Sequence, residues 1–156
     1  MRSIRPGSWE WLRRWRVAPG ATKAQEQTLD ERSIEFPRIN ENLGGLHHDI
    51  VYAIDAGQGS LATDATNSVR KYNLKTGKST EHVFDKGMAS EFVHVPGKGG
   101  TGEDDGWLMG FVYDYARNGS DLVILDAQKI ESKPVARIQL PARVPQGFHG
   151  NWMPGI

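Results

Sequence analysis

Three short segments of this 156-residue chain recur at almost constant spacing, and each carries a side chain of a type common at metal sites. The first segment contains Glu35, the second Glu91 and the third His149. Glu35 and Glu91 are 56 residues apart, and Glu91 and His149 are 58 apart. A repeat of roughly this length is typical of the blades of a β-propeller. If each segment is the innermost strand of its blade, the two carboxylates and the imidazole face the propeller axis, where a metal ion would lie.

A second set of segments, each a strand followed by a polar turn, repeats in step with the first set. These segments are residues 12–17, 69–74 and 122–126, and the last two are followed by candidate strands at 79–84 and 134–140. The polar, Gly-containing stretches between such runs are typical turns, and no run keeps a 3.6-residue apolar period for long. Residues 50–55 and 107–113 are nearly continuous apolar runs, which are typical of strands covered on both faces. The pattern predicts an all-β fold with about two complete blades and parts of two others.

The number of blades indicates that the repeat extends beyond this chain. Propellers close with typically about four to eight blades. We therefore expect residues 12–156 to be the C-terminal part of a larger propeller, and residues 1–11 to be an N-terminal extension or the edge of a truncation.

Composition argues against several classes of partner and site. Lys and Arg balance Asp and Glu, which leaves a formal net charge of zero and no long-range attraction to nucleic acid. The chain has no Cys, which excludes disulfides and thiolate metal ligands and suits a cytoplasmic location. No apolar run approaches the roughly 20 residues that span a bilayer, and the Arg-rich start lacks the apolar core of a signal peptide. Trp9, Trp11 and Trp15 beside arginines would suit an interfacial anchor, but their alternation favours a strand.

Three motifs, in their order and spacing, resemble the carotenoid cleavage oxygenase family. They are Glu35-Phe36-Pro37-Arg38-Ile39-Asn40, Glu103-Asp104-Asp105-Gly106-Trp107 and Gly147-Phe148-His149-Gly150. This family includes the carotenoid and apocarotenoid dioxygenases, the stilbene-cleaving dioxygenases and the retinal-pigment isomerase. The resemblance implies a seven-bladed β-propeller with a non-haem Fe(II) on its axis. It also implies cleavage of a conjugated carbon–carbon double bond in a hydrophobic polyene or stilbene substrate with O2.

The resemblance also assigns roles to the three repeated residues. The family holds its iron with four histidines from different blades, and the last of these corresponds to His149. Glutamates that orient the ligand histidines correspond to Glu35 and Glu91. Neutral imidazoles suit Fe(II), and a carboxylate that accepts the outer N–H of a ligand imidazole fixes its tautomer. The other three histidines and one glutamate would lie upstream, so the chain alone is expected to be incomplete and inactive.

Other candidate metal-site residues have simpler interpretations. His47 and His48 are adjacent and would point to opposite faces of a strand, so a loop is favoured. His94 lies on the strand face opposite Glu91 and is interpreted as structural, and His82 is expected to be exposed on an outer strand. The acidic run 103–106 lacks the alternating ligand spacing of a calcium-binding EF-hand loop, and is interpreted as a tight turn.

Two other functional classes remain open. The chain could be a catalytically inactive propeller fragment that acts as an interaction module, or part of an unrelated Kelch-like interaction propeller. The particular substrate, the bond cleaved, the choice between oxygenation and isomerisation, and membrane association of a full-length form are also open. An upstream reading frame with three further histidines would favour the oxygenase, whereas a stop codon or frameshift there would favour the inactive fragment.

Overall fold

The chain forms two four-stranded antiparallel sheets preceded by a two-stranded hairpin. The computed structural model describes residues 11–56, 67–145 and 147–155. Trp9 and most of the N-terminal extension therefore lie outside the described residues. The described strands are β1 (Leu12–Arg16), β2 (Gln25–Asp30), β3 (Ile34–Arg38), β4 (Ile50–Asp55), β5 (Ser68–Asn73), β6 (Lys78–Val83), β7 (Gly87–Pro96), β8 (Gly106–Asp114), β9 (Gly119–Asp126) and β10 (Ala136–Gln139).

Each four-stranded sheet is an up-and-down meander, which is the form of a propeller blade. The order is β3-β4-β5-β6 in the first sheet and β7-β8-β9-β10 in the second, while β1 pairs with β2. The segments of Glu35 and Glu91 thus begin their blades at the same position, on β3 and β7. The all-β prediction and the prediction of two complete blades with parts of others are confirmed.

The main hydrophobic core lies between the two blades. Tyr52 and Val69 of the first blade pack in one cluster with Leu108, Val112 and Val123 of the second. The last three, like Val69, have no solvent exposure at all. Burying an aliphatic side chain of this size stabilises a fold by about 1.5–3 kcal/mol. The two blades are therefore held together by a continuous apolar layer.

The central strand β4 is covered on both faces, as its continuous apolar sequence predicts. Ile50, Tyr52 and Ile54 belong to the core between the blades. Val51 and Ala53 belong to a second cluster on the other face, with Leu12 of the N-terminal hairpin.

The same prediction for β8 is wrong. Its residues alternate, so that Leu108 and Val112 are buried while Trp107 and Phe111 are 40% and 41% exposed. Among the described residues, a sheet covers the face of β8 toward the first blade and none covers its other face. An apolar sequence shows that a strand can be buried on both faces. Whether the second face is covered depends on other segments that pack against it.

Helical structure is limited to one short 3-10 turn at Glu41–Leu43 among the described residues. Asn40 precedes this turn and accepts a hydrogen bond from the Asn42 N–H at 3.1 Å. Nothing helical within 11–56, 67–145 or 147–155 is long and apolar enough to cross a bilayer.

Candidate metal centre

Glu91 lies in a β-bulge of β7, next to the C-terminal segment that carries His149. The register between β7 and β8 shifts between Ala89 and Phe92, so that Ser90 and Glu91 together face Phe111. The Ser90 hydroxyl substitutes for the lost backbone pairing, since it accepts from the Phe111 N–H at 3.1 Å and donates to the Phe111 carbonyl at 2.9 Å. Bulges often redirect a side chain beside a functional site. Here the bulge leaves the Glu91 side chain only 4% exposed.

Three donors converge on the buried Glu91 carboxylate. Its Oε1 accepts from Arg38 Nη1 and lies 3.2 Å from the Nδ1 of His149. Its Oε2 accepts from the backbone N–H of Gly150 at 2.7 Å. A buried carboxylate requires such partners, because transfer from water without them is strongly unfavourable. This arrangement of donors suits the ionised carboxylate, which can only accept hydrogen bonds.

His149 lies outside any strand, although the spacing predicts an innermost strand for its segment. The described residues from 141 to 155 form no strand, and Gln146 of the predicted segment lies outside the described residues. The His149 side chain is 71% exposed. Its ring also meets Phe36 of β3 edge to face, with the centroids 5.4 Å apart. His149 is thus held between the innermost strands of both blades without being part of either sheet.

The contact with Glu91 sets the tautomer of the His149 ring. A carboxylate cannot donate, so the Nδ1 that faces it carries the proton. The lone pair of a neutral ring is then on Nε2, the nitrogen away from Glu91. A carboxylate behind one imidazole nitrogen and a free second nitrogen is the usual arrangement of a metal-binding histidine.

Glu35 lies on β3 opposite Ile54 of β4, and it is half-buried. The β3 strand also bulges at this point, between Glu35 and Arg38. Phe36 inside this bulge has a φ of 50°, an unusual value for a bulky side chain. The structure therefore brings Glu91 and His149 into direct contact, and it places Glu35 beside the residue whose ring contacts His149.

Arg38 is the residue of this site that the sequence argument missed. It ends β3 and reaches Glu91, the Gly150 carbonyl and the Asn151 side chain. The available signal was its position three residues after Glu35, within the Glu35–Asn40 motif that resembles the family. These three partners lie 53 to 113 residues away, so no local pattern identifies them.

The donor set of this chain fits one ligand of a metal centre rather than a complete centre. In the part of the chain that the structure describes, no group of three His, Cys, Asp or Glu side chains is placed to hold a metal ion. The Nε2 of His149 is suited to a borderline metal such as Fe(II). Glu91 is directed at Nδ1 and at a backbone N–H, so it fits an orienting group better than a ligand.

The remaining histidines and the acidic run have structural partners. His47 and His48 lie outside the strands, as predicted. His82 is only half-exposed, and its Nδ1 lies 2.8 Å from the Ile130 carbonyl of the other blade, which corrects the expectation of an exposed ring. His94 is buried and its ring stacks on Tyr52, as the structural interpretation predicts.

The carboxylates of the acidic run hold the two blades together and close a loop. Both carboxylate oxygens of Glu103 accept from backbone N–H groups at the start of β4, those of Asp49 and Ile50. Asp104 pairs with Lys71 at 2.6 Å. Asp105 accepts from two N–H groups of its own loop, which closes the predicted tight turn.

Comparison with known proteins gives one family and a consistent group of relatives. The model of the family described as "Retinal pigment epithelial membrane protein" matches residues 5–154. A carotenoid cleavage oxygenase of Mycobacterium tuberculosis is 40% identical over 149 residues, which cover 92% of this chain and 29% of that protein. An apocarotenoid-15,15'-oxygenase of Synechocystis is 34% identical, with coverage of 90% of this chain and 29% of that protein. The chain thus spans less than a third of the length of these relatives.

Solved structures agree with these sequence relatives. A cobalt-substituted apocarotenoid oxygenase of Synechocystis superposes with a TM-score of 0.84 at 33% identity. The superposition covers 92% of this chain and 30% of that one.

Proposed function

The chain belongs to the carotenoid cleavage oxygenase family, and from that membership we propose that it is the part of an Fe(II)-dependent oxygenase that supplies the last histidine ligand. His149 would provide that ligand, while Glu91 and Glu35 would orient ligand imidazoles. The proposed reaction is the cleavage of a conjugated carbon–carbon double bond with O2. The names of the relatives favour a carotenoid, apocarotenoid or stilbene as the substrate.

The single observation that supports the site most directly is the contact between Glu91 and His149. Glu91 Oε1 lies 3.2 Å from His149 Nδ1, and the Glu91 side chain is almost fully buried. A buried carboxylate in this position keeps the proton on Nδ1 and leaves Nε2 free to bind a metal. An exposed surface histidine without a metal role would not require a buried, charged partner.

Each residue of the chain has a defined task in this proposal. When bound, Fe(II) supplies the chemistry that activates O2. His149 presents the Nε2 lone pair, and Glu91 holds the Nδ1 proton and orients the ring. The edge of Phe36 restricts rotation of the imidazole. Glu35 would act on the imidazole of another blade in the same way that Glu91 acts on His149.

The test requires a longer protein in which the upstream blades of this family precede the present chain. We expect that protein to contain iron and to cleave a carotenoid or stilbene, whereas the present chain alone does neither. His149→Ala in the longer protein should abolish both iron loading and cleavage, because an open coordination shell cannot spare a ligand. Iron content and cleavage products are measured on the same preparations.

His47→Ala provides the matched control, since His47 is an exposed histidine outside the site. It should leave iron content and cleavage unchanged. Undiminished iron and cleavage in His149→Ala would contradict the site assignment. An upstream frame interrupted by a stop codon would instead favour the inactive fragment.

A further inference from the structure

Gly150, the residue that follows His149, is held through its backbone N–H and its backbone carbonyl by two opposite charges. The N–H of Gly150 donates to Glu91 Oε2 at 2.7 Å, and its carbonyl accepts from Arg38 Nη1 at 3.1 Å. Arg38 and Glu91 also pair with each other at 3.2 Å. Both backbone groups of Gly150 are therefore satisfied by one ion pair, whose two members come from β3 of one blade and β7 of the other.

Burial does not explain why the chain around His149 has a defined position. The residues from 147 to 155 are exposed and form no strand. Among the described residues upstream, the Val144 N–H donates to Ser120 Oγ, and Arg143 lies over the ring of Tyr113. Close to His149, polar contacts therefore fix the position of the backbone, which in the sheets is fixed by strand pairing and core packing.

The planar fork of an arginine suits this position. Nη1 of Arg38 serves Glu91 and the Gly150 carbonyl, while Nη2 serves the Asn151 side chain and Glu41. These four acceptors lie in three separate parts of the chain. A lysine has a single ammonium nitrogen on a flexible stem and cannot span the same set of partners.

We propose that Arg38 is a positioning residue for His149, and that it acts with Glu91 as a clamp on the backbone N–H and carbonyl of Gly150. The clamp sets the position of the His149 backbone, while the Glu91 contact sets the orientation of its ring. Nε2 therefore points in a fixed direction although the side chain is largely exposed. The importance of this direction for catalysis rests on the proposed function, but the clamp itself can be tested in the present chain without metal.

The first test is amide hydrogen exchange of the 147–152 region in Arg38→Met, read by mass spectrometry. We expect exchange to accelerate by about tenfold or more, which is the factor for losing a hydrogen bond to a charged group. Amides in the centre of β8 should keep their protection, because the core between the blades is unchanged. Arg32→Met is the matched control, since Arg32 pairs with Asp30 and lies outside the clamp.

A second measurement follows the His149 ring, which a merely structural role of Arg38 would leave unchanged. In protein with 15N-labelled histidine, the ring nitrogen shifts report which nitrogen carries the proton. We expect a single Nδ1–H tautomer in the unaltered chain, and shifts close to those of a free imidazole in Arg38→Met. Arg38→Lys keeps the charge but loses the fork, so its exchange rate and ring shifts should lie between the two.

Unchanged exchange at 147–152 and unchanged His149 shifts in Arg38→Met would overturn the clamp. If Arg38→Met does not fold, the same two measurements are made on Arg38→Lys, and unchanged exchange and ring shifts in that variant would likewise overturn the clamp. In the longer protein, Arg38→Met should lower metal affinity by about 10–100-fold, as expected when a group that orients a ligand is lost. A longer protein that binds no metal even without substitution would contradict the proposed function and leave the clamp in place.

Discussion

At the scale of single residues, the candidate site depends on how many donors one carboxylate can serve. Glu91 accepts from Arg38, His149 and the Gly150 N–H. A carboxylate has enough lone pairs for all three donors, whereas a primary amide has one oxygen and an NH2 group that can only donate. Replacing Glu91 by Gln therefore affects more than the single hydrogen bond to His149.

Glu91→Gln should loosen the C-terminal segment because at least one of the three donors loses its acceptor. A buried donor left without a partner costs about 1–3 kcal/mol. We expect faster amide exchange at 147–152 and, in the longer protein, weaker metal binding. Glu81→Gln on the exposed strand β6 serves as the control, and equal exchange in both variants would contradict the prediction.

His94 is a second residue whose environment has a measurable consequence. Its ring stacks on Tyr52, and neither ring nitrogen has a hydrogen-bond partner. Burial lowers the pKa of His94 below its usual value, and Lys71 acts in the same direction, while Asp104, the backbone of Asp105 and Glu103 oppose it. The unfolded chain therefore binds the proton more readily than the folded chain.

The free energy of unfolding should consequently fall as the pH decreases below about 6.5, the ordinary pKa of histidine. His94→Phe keeps an aromatic ring against Tyr52 and removes the titrating group, so it should reduce this dependence. It should also stabilise the fold by about 1–3 kcal/mol, because two unsatisfied buried nitrogens disappear. Denaturant unfolding at pH 7.5 and 5.5 provides the measurement, with His47→Gln as the control. A pH dependence that persists fully in His94→Phe would refute this account.

At the scale of elements, a loop of the second blade supports the first strand pair of the neighbouring blade. The Glu103 carboxylate accepts from the N–H groups of Asp49 and Ile50, where β4 begins. The Glu103 carbonyl accepts from the Asn40 side chain at 3.0 Å. The acidic run thus replaces the backbone partners that the start of β4 lacks.

Glu103→Ala should destabilise the chain by about 1–3 kcal/mol, because two backbone donors lose their acceptor. Glu103→Gln keeps one oxygen and should cost less. Both are read as shifts of the denaturant midpoint at constant slope. Glu131→Ala, on an exposed turn, is the control and should leave the midpoint nearly unchanged. An unchanged midpoint in Glu103→Ala would show that the hydrogen bonds of Glu103 to the start of β4 do not stabilise the fold.

At the scale of the whole molecule, the second blade has an outer face that no sheet in the described part of the chain covers. Met109, Phe111 and Leu122 lie on this face, and together with the C-terminal segment they line an apolar recess of about 560 Å³. Apolar faces of this kind usually mark a surface that packs on another protein surface.

We therefore expect the isolated chain to associate or to be poorly soluble at micromolar concentrations. Phe111→Lys should reduce association because it places a charge on the uncovered face. Val17→Lys, at an exposed site of the N-terminal hairpin, should have little effect. Light scattering after size exclusion provides the measurement, and a monodisperse monomer without substitution would rule out this expectation.

The sequence by itself determined the blades, and it supplied the candidate site residues as a prediction. Strand alternation and turn residues are local patterns, and the spacing between Glu35 and Glu91 is a number of residues along the chain. Both can therefore be read from the sequence without a structure. The same local reasoning placed His149 in a strand and treated β8 as doubly covered, and both predictions failed. Whether a segment joins a sheet, or a strand face is covered, depends on groups distant in sequence.

Only the tertiary structure showed that Arg38 and Glu91 hold Gly150. Their ion pair joins residues 53 positions apart, and the contact between Arg38 and Gly150 spans more than twice that separation. Hydrogen bonds and ion pairs depend on distances of a few ångströms in space. Local sequence patterns carry no information about residues that are close in space but far apart in the chain. The family resemblance therefore identified the candidate ligand and its orienting glutamate, while the packing of two blades decided which further residue holds them in place.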